Sequence, residues 1–353
     1  MRNDHVVNAA GRIRTTIQRA TFSAVLALCA LSACAPTPVA RPLKLGMNAW
    51  PGYELLYVAE QLGYLSQEGV AVQFIDYPSL SDAREAFEHG QLDGFASTLV
   101  EVLAVRHSVE REPVVALVVD YSSGPDVVIA RREFADLAAL KGRRVGVEIE
   151  TVSVYLLARG LQKIGLGLDS IQIVPMKQGS LAAAFARGEI DAMVGYPPVT
   201  YGVVRRADAH VVFSSKELPG ELLDVVSIDR NVFEARTDDI AALRRAWHKT
   251  VVYYRSHPQD AIRIIAAQEN GPVDAVAATM AGLVVIGSDE QDALLGTAST
   301  PGRVSTLLQQ LEKTMIAVGM LGRELRHSCC VPTVAVQSVD LRRVAKHSAD
   351  ARH

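Results

Sequence analysis

The feature that most constrains this chain is a stretch that occurs twice. Residues 83–97 read AREAFEHGQLDGFAS and residues 181–195 read LAAAFARGEIDAMVG. Each gives an Ala-rich helical run with a Phe, then Gly, one residue, Leu or Ile, Asp, a small residue and the start of a strand. Gly90 and Gly188 stand where a helix C-cap calls for a left-handed backbone, and the apolar residues after them read as buried strands. One such unit is local punctuation. Its recurrence at matching places in two rounds of strand and helix predicts two related lobes.

The first round begins at Lys44. It runs through strand LKLGMNAW, a helix over Gly52–Gly63 with Leu55, Leu56, Val58, Ala59 and Leu62 on one side, and strand AVQFIDY. Helix Leu80–His89, strand QLDGFAS, helix Leu99–His107 and strand PVVALVVD complete it. After the turn YSSGPD the second round gives DVVIAR, helix Asp136–Leu140, RRVGVEI, helix Val152–Ile164, IQIVPM, helix Leu181–Arg187, IDAMVG, a helix from Val199, and HVVFSS. Strands alternating with helices predict an α/β fold with parallel strands. From Val232 past Met320 the pattern is helical. A helical return that covers the first lobe suits a chain crossing between lobes twice, near 121–126 and 216–225. Lobe 1 is then residues 43–122 and 223–322, lobe 2 residues 123–222, and 323–353 a basic C-terminal tail.

The N-terminus sets the compartment. Arg2, Arg12, Arg14 and Arg19 precede ATFSAVLALCALSA, an apolar run too short to span a bilayer as a mature helix, which reads as a signal peptide over 1–33. Leu31-Ser32-Ala33-Cys34 resembles the lipobox of bacterial lipoproteins. That resemblance implies diacylglycerol on Cys34, cleavage before it, and a tether over 34–42 whose APTPVARP is Pro-rich. Removing residues 1–33 deletes four Arg and one Asp, so the formal charge moves from −3 to −6. A mildly acidic body has no broad basic field for nucleic acid. Of the four cysteines, Cys29 leaves with the signal and Cys34 carries lipid. Cys329 and Cys330 are adjacent, a spacing that rarely pairs, so no disulfide framework is expected.

Several stretches in collinear order carry a resemblance. WPGYELLYVAEQLGYLSQEGVAVQFIDYPSLSDAREAFEHGQLDGFA, GRRVGVEIETVSVYLLARGLQKIGL, LAAAFARGEIDAMVGYPP and VVFSSKELPGELLDVVSID together resemble the nitrate/sulfonate/taurine family of periplasmic substrate-binding proteins, the solute receptors of ABC importers. The likeness spans 43 to about 320. It implies a two-lobed clam shell of the type II periplasmic-binding-protein class with two interlobe crossovers and ligand in the cleft. Together with the lipobox, which leaves the anchoring membrane undecided, it implies a lipid-anchored periplasmic monomer that captures a small anionic or zwitterionic organic solute, sulfonate-, nitrate- or taurine-like, and hands it to an ABC permease in the inner membrane. Two alternatives share the scaffold: a ligand-sensing subunit that reports to a membrane sensor, and a periplasmic enzyme.

Candidate ligand residues follow from where such sheets bind, outside the carboxyl ends of their strands. Trp50 and Tyr53 flank Pro51-Gly52, where Pro presets the helix entrance and Gly opens it, so that free N–H groups can approach an anion while the aromatics wall the site. Trp50 as a core aromatic at a strand end is the other reading. Thr151 and Ser153 begin the helix after RVGVEI and either cap it or meet the ligand. Relatives commonly show Gly-Ser where this chain has Glu150-Thr151. Ser97 and Thr98 occupy the same kind of corner after LDGFA. Asp120, Ser122 and Ser123 sit at the first crossover and line the cleft or shape the turn. Tyr196 is followed by Pro197-Pro198, where relatives often carry Tyr-Glu-Pro; the missing acid argues against taurine as substrate. Asp224, at the return crossover, supplies a carboxylate or a hinge hydrogen bond.

Enzyme motifs are absent: no G-x-S-x-G, no G-x-x-x-x-G-K-[ST], no H-E-x-x-H and no paired C-x-x-C. The nine histidines are scattered without ligand spacing. No catalytic residue, cofactor or metal is therefore expected.

Overall fold

In the computed structural model, which describes residues 41–108, 111–297, 300–322 and Cys330, the two rounds become two sheets. The signal peptide, Cys34, most of the tether and the tail apart from Cys330 lie outside the described residues. The chain lays down β1 (Leu43–Asn48), β2 (Val72–Tyr77), β3 (Gly94–Thr98) and β4 (Pro113–Ser122). It then crosses to β5 (Val127–Arg131), β6 (Arg144–Val147), β7 (Gln172–Pro175), β8 (Ala192–Gly195) and β9 (Ala209–Ser214), and returns as β10 (Leu223–Asp229) and β11 (Leu283–Val285). The sheet orders are β11-β4-β10-β3-β1-β2 and β7-β6-β8-β5-β9.

The expectation of parallel sheets holds only in part. β1 is parallel to β2 and β3, and β6 to β7 and β8. Yet β10 runs antiparallel between β3 and β4, and β5 antiparallel between β8 and β9. The reason is where these strands enter. Each is the first strand after a crossing, so it starts at the hinge end, where β4 or β9 finishes. The expected unbroken helical return is also interrupted, because β11 pairs antiparallel with the end of β4. Asp136–Leu140 proves to be a single 3-10 turn at Ala138–Leu140.

The repeated stretch does the same work twice. Its helices are α2 and α5 in the set α1 (Leu55–Gln61), α2 (Leu80–Glu88), α3 (Leu99–Ser108), α4 (Val152–Lys163), α5 (Gln178–Arg187) and α6 (Thr237–Ser256). Gly90 and Gly188 follow α2 and α5 at φ +74° and +76°. Asp93 Oδ2 accepts from the Lys44 N–H at 2.9 Å, and Asp191 Oδ2 from the Arg144 N–H at 2.9 Å, so each Asp ties the strand after its helix to the neighbouring strand. Arg111 lies over the Phe87 ring at 4.3 Å and Arg131 over Phe185 at 4.9 Å, and each donates to the backbone carbonyl of the Phe it covers. The repeats part at Gly94, whose counterpart is Ala192. A Cβ on Gly94 would stand 2.4 Å from the Ser227 carbonyl oxygen of β10, so β10 can lie in the middle of its sheet only beside a glycine.

β4 is buried along its length except at Tyr121. The helical return covers that lobe through α6, where buried Trp247 donates to the Ile286 carbonyl at 2.9 Å. The Cys330 carbonyl accepts from the Val115 N–H at 3.0 Å on β4. Cys330 is buried and disulfide-bonded, a bond that the sequence, read as no disulfide framework, did not lead us to expect. Among the described residues no helix is long and apolar enough to cross a membrane.

Candidate functional site

Two acids face each other where β4 leaves the first sheet and β10 re-enters it. Asp120 and Asp224 are register partners across that ladder and are buried, at 0% and 3% exposure. Tyr53 Oη donates to Asp224 Oδ1 at 2.5 Å. Neither Asp120 oxygen meets a partner in full hydrogen-bond geometry among the described residues, yet the Asp224 carboxyl and the Trp50 indole N–H lie close enough to hold its pKa down against burial. Burial pushes the Asp120 carboxyl up to about 7, and burial together with Asp120 and Asp126 raises Asp224 well above the carboxylate range. Burial also lifts Asp126, in the first crossing, to about 6.

The turn Trp50-Pro51-Gly52-Tyr53 is folded onto this pair. A Cβ on Gly52 would lie 1.9 Å from Asp120 Oδ2 and 2.8 Å from Trp50 Nε1. Glycine is needed here because a carboxylate of the chain packs against the backbone. This corrects the expectation that Gly52 frees a helix start for an anion: α1 begins only at Leu55 and has seven residues, and its Glu54 N-cap makes no side-chain cap bond.

Between the lobes lies a cavity of about 10 Å³, the room that one water needs. Lobe 1 lines it with Asn48, Trp50, Tyr53, Leu80, Thr98 and Asp224, lobe 2 with Val152 and Tyr196, and the crossing with Asp126. The three rings form a partial cage, with Trp50 edge-on to Tyr196 at 6.1 Å and tilted to Tyr53 at 6.4 Å. Asn48 Nδ2 donates across the lobes to Tyr196 Oη at 3.5 Å, and Asn48 Oδ1 has no partner among the described residues. The lining holds two carboxyls and no Lys, Arg or His.

Helix starts converge on the same place, and the protein's own acids occupy them. Glu101 Oε2 accepts from the Thr98 N–H at 2.9 Å and from Thr98 Oγ1 at 2.6 Å, and Thr98 Oγ1 accepts from the Val100 N–H at 3.1 Å, which closes the start of α3. Its other oxygen crosses the cleft to the Val152 N–H of α4 at 2.6 Å. In the reverse direction Glu148 Oε1 accepts from the Ser81 N–H of α2 at 3.3 Å and from the Ser81 hydroxyl. Burial raises the fully buried Glu101 to about 7 against these hydrogen bonds. Outside them, Arg84 meets Glu150 at 2.7 Å and Lys177 meets Asp82 at 2.9 Å and Glu85 at 3.2 Å. Glu150 has φ +58°, a left-handed value that favours glycine; here the side chain uses the position to reach Arg84.

The candidate residues divide. Trp50, Tyr53, Thr98, Tyr196 and Asp224 line the cavity, and Asp120 lies directly behind them. The others are engaged in hydrogen bonds within the protein. Thr151 Oγ1 accepts from the Ser153 N–H at 3.3 Å and donates to the Glu148 carbonyl at 2.7 Å. Ser153 Oγ accepts from Gln178 Nε2 at 3.2 Å, and Ser97 Oγ donates to the Thr98 carbonyl at 3.2 Å. Ser122 Oγ meets Ser215 Oγ at 2.8 Å, joining the two crossings, and the Ser123 N–H donates to the Gly282 carbonyl at 2.8 Å. Sequence reasoning missed Asn48, Asp126, Glu101 and Glu148. Glu101 had a signal: Thr98-Leu99-Val100-Glu101 is a Thr-x-x-Glu capping box.

Comparison with known proteins matches residues 50–261 to the family model described as NMT1/THI5 like. Proteins named as binding proteins in Brucella abortus and Brucella suis are 33% identical over 105 residues, which is 28% of this chain. The matched stretch spans a third of the length of those curated relatives. Among solved structures, the alkanesulfonate-binding protein SsuA from Xanthomonas axonopodis pv. citri, bound to MOPS, shares 18% identity at TM-score 0.66, covering 85% of this chain and 99% of that one. The aliphatic sulphonate binding protein SsuA from Escherichia coli shares 17% at TM-score 0.65, covering 86% and 98%. At such identities the likeness establishes the two-lobed periplasmic-binding-protein fold. The extent of the family match, over more than half of the chain, makes this protein a member of the NMT1/THI5-like family.

Proposed function

We propose that this protein is the solute-capturing component of an ABC importer, held in the periplasm by lipid on Cys34, and that its ligand is a small organic cation or the ammonium end of a zwitterion. The observation that carries the ligand class is the pairing of a three-ring cage with buried carboxyls and no lining cation. Aromatic faces attract a desolvated organic cation by about 2 kcal/mol, and Asp126, whose carboxyl burial lifts only to about 6, adds a charge partner at neutral pH. An anionic head group would meet those same carboxyls. The purely anionic solute suggested by the sequence is therefore set aside, and the zwitterion retained. An organic solute needs far more room than one water, so the lobes must part about the crossings to admit it.

Thermal shift and calorimetry of the soluble body test the ligand class against tetramethylammonium, choline, glycine betaine, MOPS and nitrate. Stabilisation by one or more of the first three and by neither of the last two is expected. The reverse pattern would overturn the assignment. For the anchor, metabolic labelling with a fatty acid should mark the wild type and not Cys34→Ser; equal labelling of both would remove the lipoprotein reading.

A further inference from the structure

We propose that Glu101 is a specificity-determining residue that excludes anionic ligands from the cleft by filling the point where two helix N-termini converge. This rests on the reading of the interlobe cleft as the ligand site. Its ground is geometric. A single carboxylate with no solvent exposure accepts from the start of α3 at 2.9 Å and, across the cleft, from the start of α4 at 2.6 Å. Thr98 and Val152, which supply those N–H groups, both line the cavity. Helix N-termini carry partial positive charge and unsatisfied donors, which makes them the natural seat for a sulfonate or carboxylate. Here α3 and α4 are ten and twelve residues long, and their joint seat is taken by a side chain tethered to the protein. A ligand anion would have to displace it or lie against its charge.

The second cross-lobe acid covers the remaining entrance. Glu148 accepts from the second N–H of α2 at 3.3 Å. The helix starts that reach the cleft, those of α2, α3 and α4, are thus each met by an acid of the chain. Glu101 is the decisive one because it serves two of them, each at a residue that lines the cavity.

The test measures MOPS and methanesulfonate binding by calorimetry at neutral pH for the wild type, Glu101→Ala and Glu101→Gln, with tetramethylammonium, choline and glycine betaine titrated in parallel. Glu101→Ala empties the seat; Glu101→Gln keeps its shape and removes the charge, which guards against an Ala variant that fails to fold. A gain of at least tenfold in sulfonate affinity is expected for Glu101→Ala, with a smaller gain for Glu101→Gln. Folded variants that bind sulfonate no better than the wild type would overturn the proposal, as would a wild type that binds sulfonate equally well. The parallel cation titrations keep the two ideas apart: a wild type deaf to every cation counts against the ligand class, and sulfonate gain in the variants still decides the role of Glu101.

Discussion

Trp50→Ala should lower the melting temperature of the ligand-free protein and, in the same molecule, remove most of the shift that ligand produces. Trp50 is 3% exposed and packs among Tyr53 and Tyr196, so truncation costs about 3–5 kcal/mol, as deletion of a large buried aromatic does. It also removes one wall of the cage. Losing a desolvated cation–π contact of about 2 kcal/mol together with apolar contact area amounts to about a hundredfold or more in affinity. A ligand at about a hundred times its dissociation constant adds roughly 2.7 kcal/mol of apparent stability, so paired melts with and without the cation found in the panel resolve both effects. Trp50→Phe keeps a ring and should lie between wild type and Ala on both measures. A full ligand shift in Trp50→Ala would show that the indole is core alone. The two uses left open for Trp50 by the sequence are one use in the structure: a core residue whose inner edge faces the cleft.

The second large effect is in pH, where stability and ligand binding should move in opposite directions. Burial raises Glu101, Asp120 and Glu269 to about 7 and Asp126 to about 6, all above their unfolded values. Between the unfolded pKa and the folded one, the folded state therefore binds more protons than the unfolded state, and stability falls as pH rises. The melting temperature of the free protein should thus drop from pH 5 to pH 8. His248, whose pKa burial lowers, acts the other way as a single group. A cation pairs with ionised carboxyls, so its affinity should rise over the same interval with release of protons, readable as a buffer-dependent calorimetric heat. Asp120→Asn should flatten the melting profile. A cation affinity that does not change from pH 5 to pH 8 would count against the carboxyl pair as the charge partner.

Much of this was legible because repetition leaves a local signature. Gly90 and Gly188 marked two helix ends, and Asp93 and Asp191 hold their neighbouring strands by the same bond. The crossings could be placed by the change from alternating pattern to helical return. The reversed strands β5 and β10 could not be read, since a run such as LLDVVSID looks the same whichever way it enters a sheet. Candidate site residues were found where composition is unusual, at Trp50 and Tyr53, or where a carboxylate sits in an apolar strand, at Asp120 and Asp224. What stayed hidden was partnership across the cleft. Glu101 and Glu148 look like ordinary helix and loop acids until Val152 and Ser81, 51 and 67 residues away in sequence, are seen against them.

The position of β10 also orders events during synthesis. β3 and β4 are complete by Ser122, but the strand that joins them arrives only with Leu223–Asp229, after the whole second sheet has been made. Until then β4, whose first seven residues from Pro113 to Val119 are all apolar, lacks its central neighbour, and pairing so distant in sequence is slow to form. The half of the molecule made first is therefore the half completed last. Until β10 arrives, the leading part of a nascent chain of this topology carries an exposed sticky strand, a hazard for aggregation, for as long as the second lobe takes to follow.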